Sequence, residues 1–233
     1  MRYTTLACDY DGTLAADGCV DERTLDALRR ARASGRALVL VTGRELDDLE
    51  RVFAQLALFD RVVAENGALL VHPASGEQRV LAEPPPAAFV EALRRAQVER
   101  LSVGRVIVAT VSPHETAVLE AIHALGLELQ VIFNKGAVMI LPSGINKASG
   151  LMAALAELGQ VPERTVGVGD AENDHAFLAL CGCAVAVSNA LPSLKEHADL
   201  VTTGARGAGV VELIDALIAD DLRDVVPHPR PRA

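Results

Sequence analysis

The chain repeats one pattern: a strand-length run that is apolar throughout, a polar loop, then a segment with apolar residues at helical spacing. Such runs are Thr5-Leu-Ala-Cys8, Ala37-Leu-Val-Leu-Val-Thr42, Arg61-Val-Val-Ala-Glu65 and Thr165-Val-Gly-Val-Gly169. A strand with no polar alternation has both faces covered, which is the condition of a parallel sheet held between helices. The expected fold is therefore α/β, a doubly wound, Rossmann-like parallel sheet. Ligands of such sheets bind beyond the carboxyl ends of the strands, so each polar residue at a strand end becomes a candidate for chemistry.

The rhythm is interrupted once. Helices are expected from Asp21, a good N-cap, to Gly35 and over about 46–56; Asn66-Gly67 is read as a turn, with a return strand over 68–72. Glu83-Pro-Pro-Pro86 then reads as a stiff linker. Beyond it, helices over about 87–96 and 115–125 and strands over 103–111, 127–133 and 138–141 suggest a smaller α/β unit with an antiparallel sheet. From Asn146 the earlier rhythm returns, with helices over about 147–158, 172–180, 191–197 and 209–219 and short strands over 184–187 and 200–202. The expected division is a discontinuous core, 1–82 and 144–219, around an insertion, 83–143, with a fraying tail over 220–233.

Four element ends carry polar groups: Asp9-Tyr-Asp11-Gly12, Thr42-Gly43-Arg44, Lys147, and Gly169-Asp170-Ala-Glu-Asn173-Asp174. Residues two apart on a strand point the same way, so Asp9 and Asp11 can address one place, one attacking while the other handles a proton. An EF-hand loop needs a further ligand before its glycine and a closing glutamate, and residues 9–20 offer neither. A plain turn explains the aspartates or Thr42-Gly43 taken singly. Acids at a helix start explain Glu172 and Asp174 but not the whole run. Lys147 is harder to explain, because a cation at a helix N-terminus opposes the dipole by about 0.3–1 kcal/mol; an anion between it and nearby backbone N–H groups would remove the conflict. Ser143-Gly-Ile-Asn-Lys147 lacks the adjacent Gly-Lys of a P-loop, and Gly167-Val-Gly169 lacks a third glycine, so neither ATP nor NAD is indicated.

Charge and composition narrow the partners. With 31 acidic against 22 basic residues, a net charge of −9 and 3% aromatics, the chain lacks the basic, stacking surface of a nucleic-acid binder. An acidic protein that handles an anion needs a cation or focused positive groups near its site. The four cysteines show no CxxC spacing and are expected to be reduced. No apolar run reaches the roughly 18 residues of a membrane span, and residues 1–20 do not read as a leader, so a cytoplasmic location is expected. No heptads indicate an oligomer.

In this order and spacing, Asp9-Tyr-Asp11-Gly-Thr-Leu, Thr42-Gly-Arg44, Lys147 and Gly169-Asp170-Ala-Glu-Asn173-Asp174 resemble the four motifs of the haloacid dehalogenase superfamily. The insertion and Glu65-Asn66-Gly67 resemble its Cof-like branch, subfamily IIB, with a type II cap. The resemblance implies a phosphatase acting through an aspartyl-phosphate: Asp9 the nucleophile, Asp11 the general acid and base, and Thr42, Lys147 and Asn173 holding the phosphoryl oxygens. It further implies Mg²⁺ on the Asp9 carboxylate, the Asp11 carbonyl and Asp170, with Asp174 in support. Lys147 is followed by Ala148 where the family often has glycine. Aspartate at position 11 resembles the hydrolase and mutase pattern rather than the threonine of transport ATPases. The implied substrate is a small phosphorylated metabolite, a sugar phosphate or a phosphoglycolate-like acid, with Arg44, Glu65, Asn66, Asn189, Asn134 and Lys135 as candidate contacts. Arg44 pairing with Asp47 or Asp48, and a plain hairpin turn at Asn134-Lys-Gly136, are the simpler readings of two of these. A phosphomannomutase-like mutase and a non-catalytic binding module are the alternatives.

Overall fold

The computed structural model describes residues 1–228. The chain opens with β1 (Thr5–Asp9), α1 (Glu22–Ala33), β2 (Ala37–Val41), α2 (Leu46–Val52), β3 (Arg61–Ala64), β4 (Leu69–His72) and β5 (Glu77–Val80). An inserted unit follows: α3 (Ala87–Arg95), β6 (Ser102–Val103), β7 (Val108–Val111), α4 (Glu115–Leu125), β8 (Leu129–Asn134) and β9 (Ala137–Pro142). The chain then continues through α5 (Lys147–Leu158), β10 (Thr165–Gly169), α6 (His175–Leu180), β11 (Cys183–Ala186), α7 (Pro192–His197), β12 (Leu200–Val201) and α8 (Arg206–Asp220).

The larger sheet has the order β12-β11-β10-β1-β2-β3-β4-β5. It is parallel from β12 to β3, and β4 and β5 add antiparallel to its edge. β1 and β10 are buried along their whole length, as apolar runs without alternation require. Helices cover both faces, and α1 starts where expected because the Asp21 carboxylate accepts the Thr24 N–H at 2.7 Å. Among the described residues no helix is long and apolar enough to cross a membrane.

β5 is absent from the sequence reading, and its residues show why: all four are exposed, so the edge strand leaves no apolar trace. The smaller sheet, β6-β7-β9-β8, is antiparallel throughout. Phe89 and Leu93 of α3 and Val118 of α4 close a separate small core against Val108 and Ile140. The single strand expected over 103–111 is instead two, β6 and β7, because the amides of Arg105, Val106 and Ile107 turn away to bind Glu65. A third apolar cluster, Ala68, Val106, Ile107, Met139 and Leu141, sits where the two units meet.

The expected fraying after residue 220 is also corrected. Leu222 is buried, the Asp221 carboxylate accepts from Arg36 Nη2 at 2.8 Å, and the His228 amide donates to Asp199. The remainder of that expectation, residues 229–233, lies outside the described residues.

Candidate active site

The parallel register sets Cys8 of β1 against Val168 of β10 and Asp9 against Val41 of β2. The residues that follow these pairs, Asp170 and Thr42, therefore emerge beside Asp9 at one edge of the sheet. Lys147, the first residue of α5, comes to the same edge. Its position depends on Gly67, whose φ is +109°: a Cβ there would lie 1.9 Å from the Asn146 carbonyl oxygen, so only glycine lets the helix start this close.

The fully buried Lys147 ammonium donates to Asp9 Oδ1 and to Asp174 Oδ1, both at 2.6 Å. Asp174 Oδ2 accepts the amides of Asp170 at 2.8 Å and Ala171 at 2.9 Å. The helix-dipole conflict at Lys147 is thus met within the chain by two carboxylates. The nearby amides are spent as well, since Asn146 Oδ1 accepts from both Ala148 and Ser149.

Burial, with the Asp174 carboxylate beside it, pushes the Asp9 carboxyl up to about 7 against the pull of Lys147. Burial raises Asp170 as well, opposed by the Lys135 ammonium. Lys147 stays above the ordinary lysine value, because Asp174 and Asp9 outweigh its own desolvation.

One ligand oxygen from each of Asp9, Asp170 and Asp174 fits within a 4.8 Å cluster. Lys147 supplies one positive charge to these three buried acids, which leaves an excess that favours a further cation. A cationic group already occupies part of this place. The Lys135 Nζ, at the turn between β8 and β9, donates to Asp170 Oδ2 at 2.7 Å and to the Asp11 carbonyl at 3.0 Å. A divalent cation bound by hard oxygen ligands fits this donor set.

A cavity of about 250 Å³ opens beside these groups. Asp9, Asp11, Arg44, Lys147 and Asn173 line it from the large sheet, and Asn134 and Met139 from the inserted unit. The Asp11 carboxylate is held by Arg44 through two 2.7 Å bonds, Nε to Oδ2 and Nη2 to Oδ1. That pairing raises the Arg44 value further. Arg44 also pairs with Asp48, as its simpler reading expects, but the bond to Asp11 was not readable from sequence. The Thr42 hydroxyl is buried and accepts the Arg44 amide at 3.1 Å.

Two expected substrate contacts are corrected. The Glu65 carboxylate is fully buried and accepts the amides of Arg105, Val106 and Ile107 at 2.9, 2.7 and 2.9 Å, so it fastens the inserted unit to the large sheet. Asn66 is likewise fully buried, and its Oδ1 accepts from Asn173 Nδ2 at 2.9 Å; it positions Asn173 from behind. Asn189 donates to the Gly12 carbonyl at 2.9 Å and to Asp170 Oδ2 at 3.4 Å and accepts the Arg206 amide at 2.7 Å, so it ties two loops together beside the acid cluster. Thr13, which the sequence reading left without a role, directs its hydroxyl to Asp170 Oδ1 at 3.3 Å.

Fold and site together define a doubly wound α/β enzyme whose buried acids and lysine meet at the carboxyl edge of a parallel sheet. The chain belongs to the haloacid dehalogenase-like hydrolase family, whose model matches residues 6–100 and 120–214. It is 32% identical over 218 residues to a phosphoglycolate phosphatase of Methanothermobacter thermautotrophicus, covering 90% of this chain and 96% of that one. It is 34% identical over 220 residues to a phosphoglycolate phosphatase of Natronomonas pharaonis, covering 90% and 96%. A haloacid dehalogenase-like hydrolase from Bacteroides thetaiotaomicron shares the fold, with a TM-score of 0.79 at 20% identity over 92% of this chain and 99% of that one.

Proposed function

We propose that this chain is a Mg²⁺-dependent, cytoplasmic phosphatase that hydrolyses a small phosphate monoester, 2-phosphoglycolate foremost, through an aspartyl-phosphate. The observation that carries the reading is the meeting of Asp9, Lys147, Asp170 and Asp174 beside a small cavity roofed by the inserted unit. The names of the relatives supply the choice among monoesters.

In this reading Asp9 attacks phosphorus, and the phosphoryl group is transferred to its carboxylate oxygen as the leaving alcohol departs. Asp11, at the cavity wall, protonates that alcohol and afterwards takes a proton from the water that hydrolyses the acyl phosphate. Arg44 grips Asp11 at both oxygens and must loosen one for this work. The Lys147 ammonium, Thr42 and Asn173 hold the phosphoryl oxygens. Asp9, Asp170, Asp174 and the Asp11 carbonyl would hold Mg²⁺, which supplies charge neutralisation between the nucleophilic carboxylate and the phosphoryl group. Residues 83–143 act as a cap over the core, excluding water from the reaction and presenting Asn134 and Met139 to the leaving group.

Phosphate release from a panel of monoesters, with and without Mg²⁺, tests the reading for wild type beside Asp9→Asn. Mg²⁺-dependent release that the substitution abolishes is expected. Full turnover in Asp9→Asn refutes it, and phosphate moved within one sugar instead of released identifies a mutase.

A further inference from the structure

Three side-chain cations stand around the site, and their partners differ. Lys147 is held by Asp9 and Asp174, both inside the acid cluster. Arg44 is held by Asp11 and Asp48. Lys135 has one acid, Asp170, together with the Asp11 carbonyl, and its side chain remains 45% exposed. Those two oxygens belong to the donor set assigned above to the divalent cation. A divalent cation seated on Asp170 and the Asp11 carbonyl would compete with the Lys135 ammonium for the two oxygens that ammonium binds, and like charges at contact repel strongly where the dielectric is low. A metal held there would therefore displace the Lys135 ammonium from Asp170.

The expelled ammonium does not go far. It is tethered at the tip of the turn between β8 and β9, next to Asn134, which lines the cavity. A monoester with its phosphoryl end at Asp9 and Lys147 directs its leaving group towards this roof, where Asn134 and Met139 lie. A second anionic group on a short leaving group directed there comes within reach of Lys135.

We infer that Lys135 is a specificity-determining residue: metal binding frees its ammonium from Asp170, and the freed charge selects monoesters whose leaving group carries a carboxylate. The assignment rests on the phosphatase reading. It makes one side chain serve two states, a counter-charge for Asp170 before the metal enters and a substrate ligand afterwards.

The test compares wild type with Lys135→Gln, which keeps a polar head and loses the charge, and Lys135→Arg, which keeps the charge. Calorimetric titration with Mg²⁺ alone, without substrate, is expected to show about three- to tenfold tighter binding in Lys135→Gln, since no ammonium has to be displaced. The ratio of kcat/KM for 2-phosphoglycolate to that for phenyl phosphate is expected to fall about ten- to a hundredfold in Lys135→Gln, the size of a lost charge-assisted contact. The loss should fall mainly on KM, and Lys135→Arg should restore most of the ratio. Unchanged Mg²⁺ affinity in Lys135→Gln, or a ratio within about twofold of wild type, overturns the assignment while hydrolysis of both esters leaves the phosphatase reading standing. A wild-type protein that hydrolyses no monoester overturns both.

Discussion

Replacing Glu65 by glutamine changes one oxygen to an amide nitrogen, and the surroundings of Glu65 make that change costly. Oε2 accepts from Val106 and Ile107, and Oε1 accepts from Arg105, in a place with no solvent access. A glutamine can set its one oxygen towards Val106 and Ile107, but its NH₂ then faces the Arg105 N–H, donor against donor. A stranded buried donor costs about 1–3 kcal/mol. The two surviving bonds lose their charge assistance, which removes about 1 kcal/mol more. The total is about 2–4 kcal/mol. For a chain of this size each kcal/mol lowers Tm by about 2–4 °C, so Glu65→Gln should melt roughly 4–16 °C below wild type. Hydrogen exchange should localise the change, with the amides of 105–107 losing protection well before the central strands do. A variant within about 0.5 kcal/mol of wild type in urea, with those amides still protected, would refute the view that Glu65 fastens the inserted unit to the sheet.

Gly67→Ala sets a methyl 1.9 Å from the Asn146 carbonyl oxygen at a φ of +109°. A loss above about 4 kcal/mol in urea unfolding is expected, because neither the strained backbone nor the start of α5 can yield cheaply. Glu157, on α5, is held below the ordinary glutamate value by Arg61, helped by Arg79. Its carboxyl is therefore protonated in the unfolded chain at a higher pH than in the folded one, and the stability it contributes is complete above the unfolded value and lost as pH falls through the folded one. Thermal melts from pH 6 down to pH 3 should accordingly fall less steeply for Glu157→Gln than for wild type, and parallel curves would rule this out.

The four motif positions were legible because each lies at the end of an apolar run or opens a helix. Once the runs are read as parallel strands, Asp9, Thr42 and Asp170 have only one edge at which to emerge. Lys147 was legible through its conflict with the dipole, but the two acids that resolve it lie 138 and 27 residues away in sequence, beyond any local pattern. Glu65 was misread for a related reason: a polar residue at a strand end faces either a cavity or a cradle of amides, and only the path of 104–107 decides which. The pairings of Lys135 with Asp170 and of Arg44 with Asp11 depend on how the inserted unit and α2 approach the sheet, which helix and strand periods do not encode. β5 and the break between β6 and β7 escaped because one carries no apolar trace and the other interrupts an apolar run for the sake of a distant carboxylate.

The place of β1 in the sheet has a consequence for synthesis on the ribosome. β1 lies between β2, which follows it closely, and β10, which is made roughly 160 residues later, after the whole inserted unit. At translation rates of about 5–20 residues per second, one hydrogen-bonding edge of the nascent β1 waits on the order of 8–30 s for its partner. For most of that wait Asp9 has neither the lysine that neutralises it nor the acids that share its charge, because Lys147 is made only shortly before β10, and Asp170 and Asp174 follow it. A charge left bare at the tip of an open edge discourages that edge from pairing with a neighbouring nascent chain, so the carboxylate proposed as the nucleophile also acts as a gatekeeper while the protein is being made.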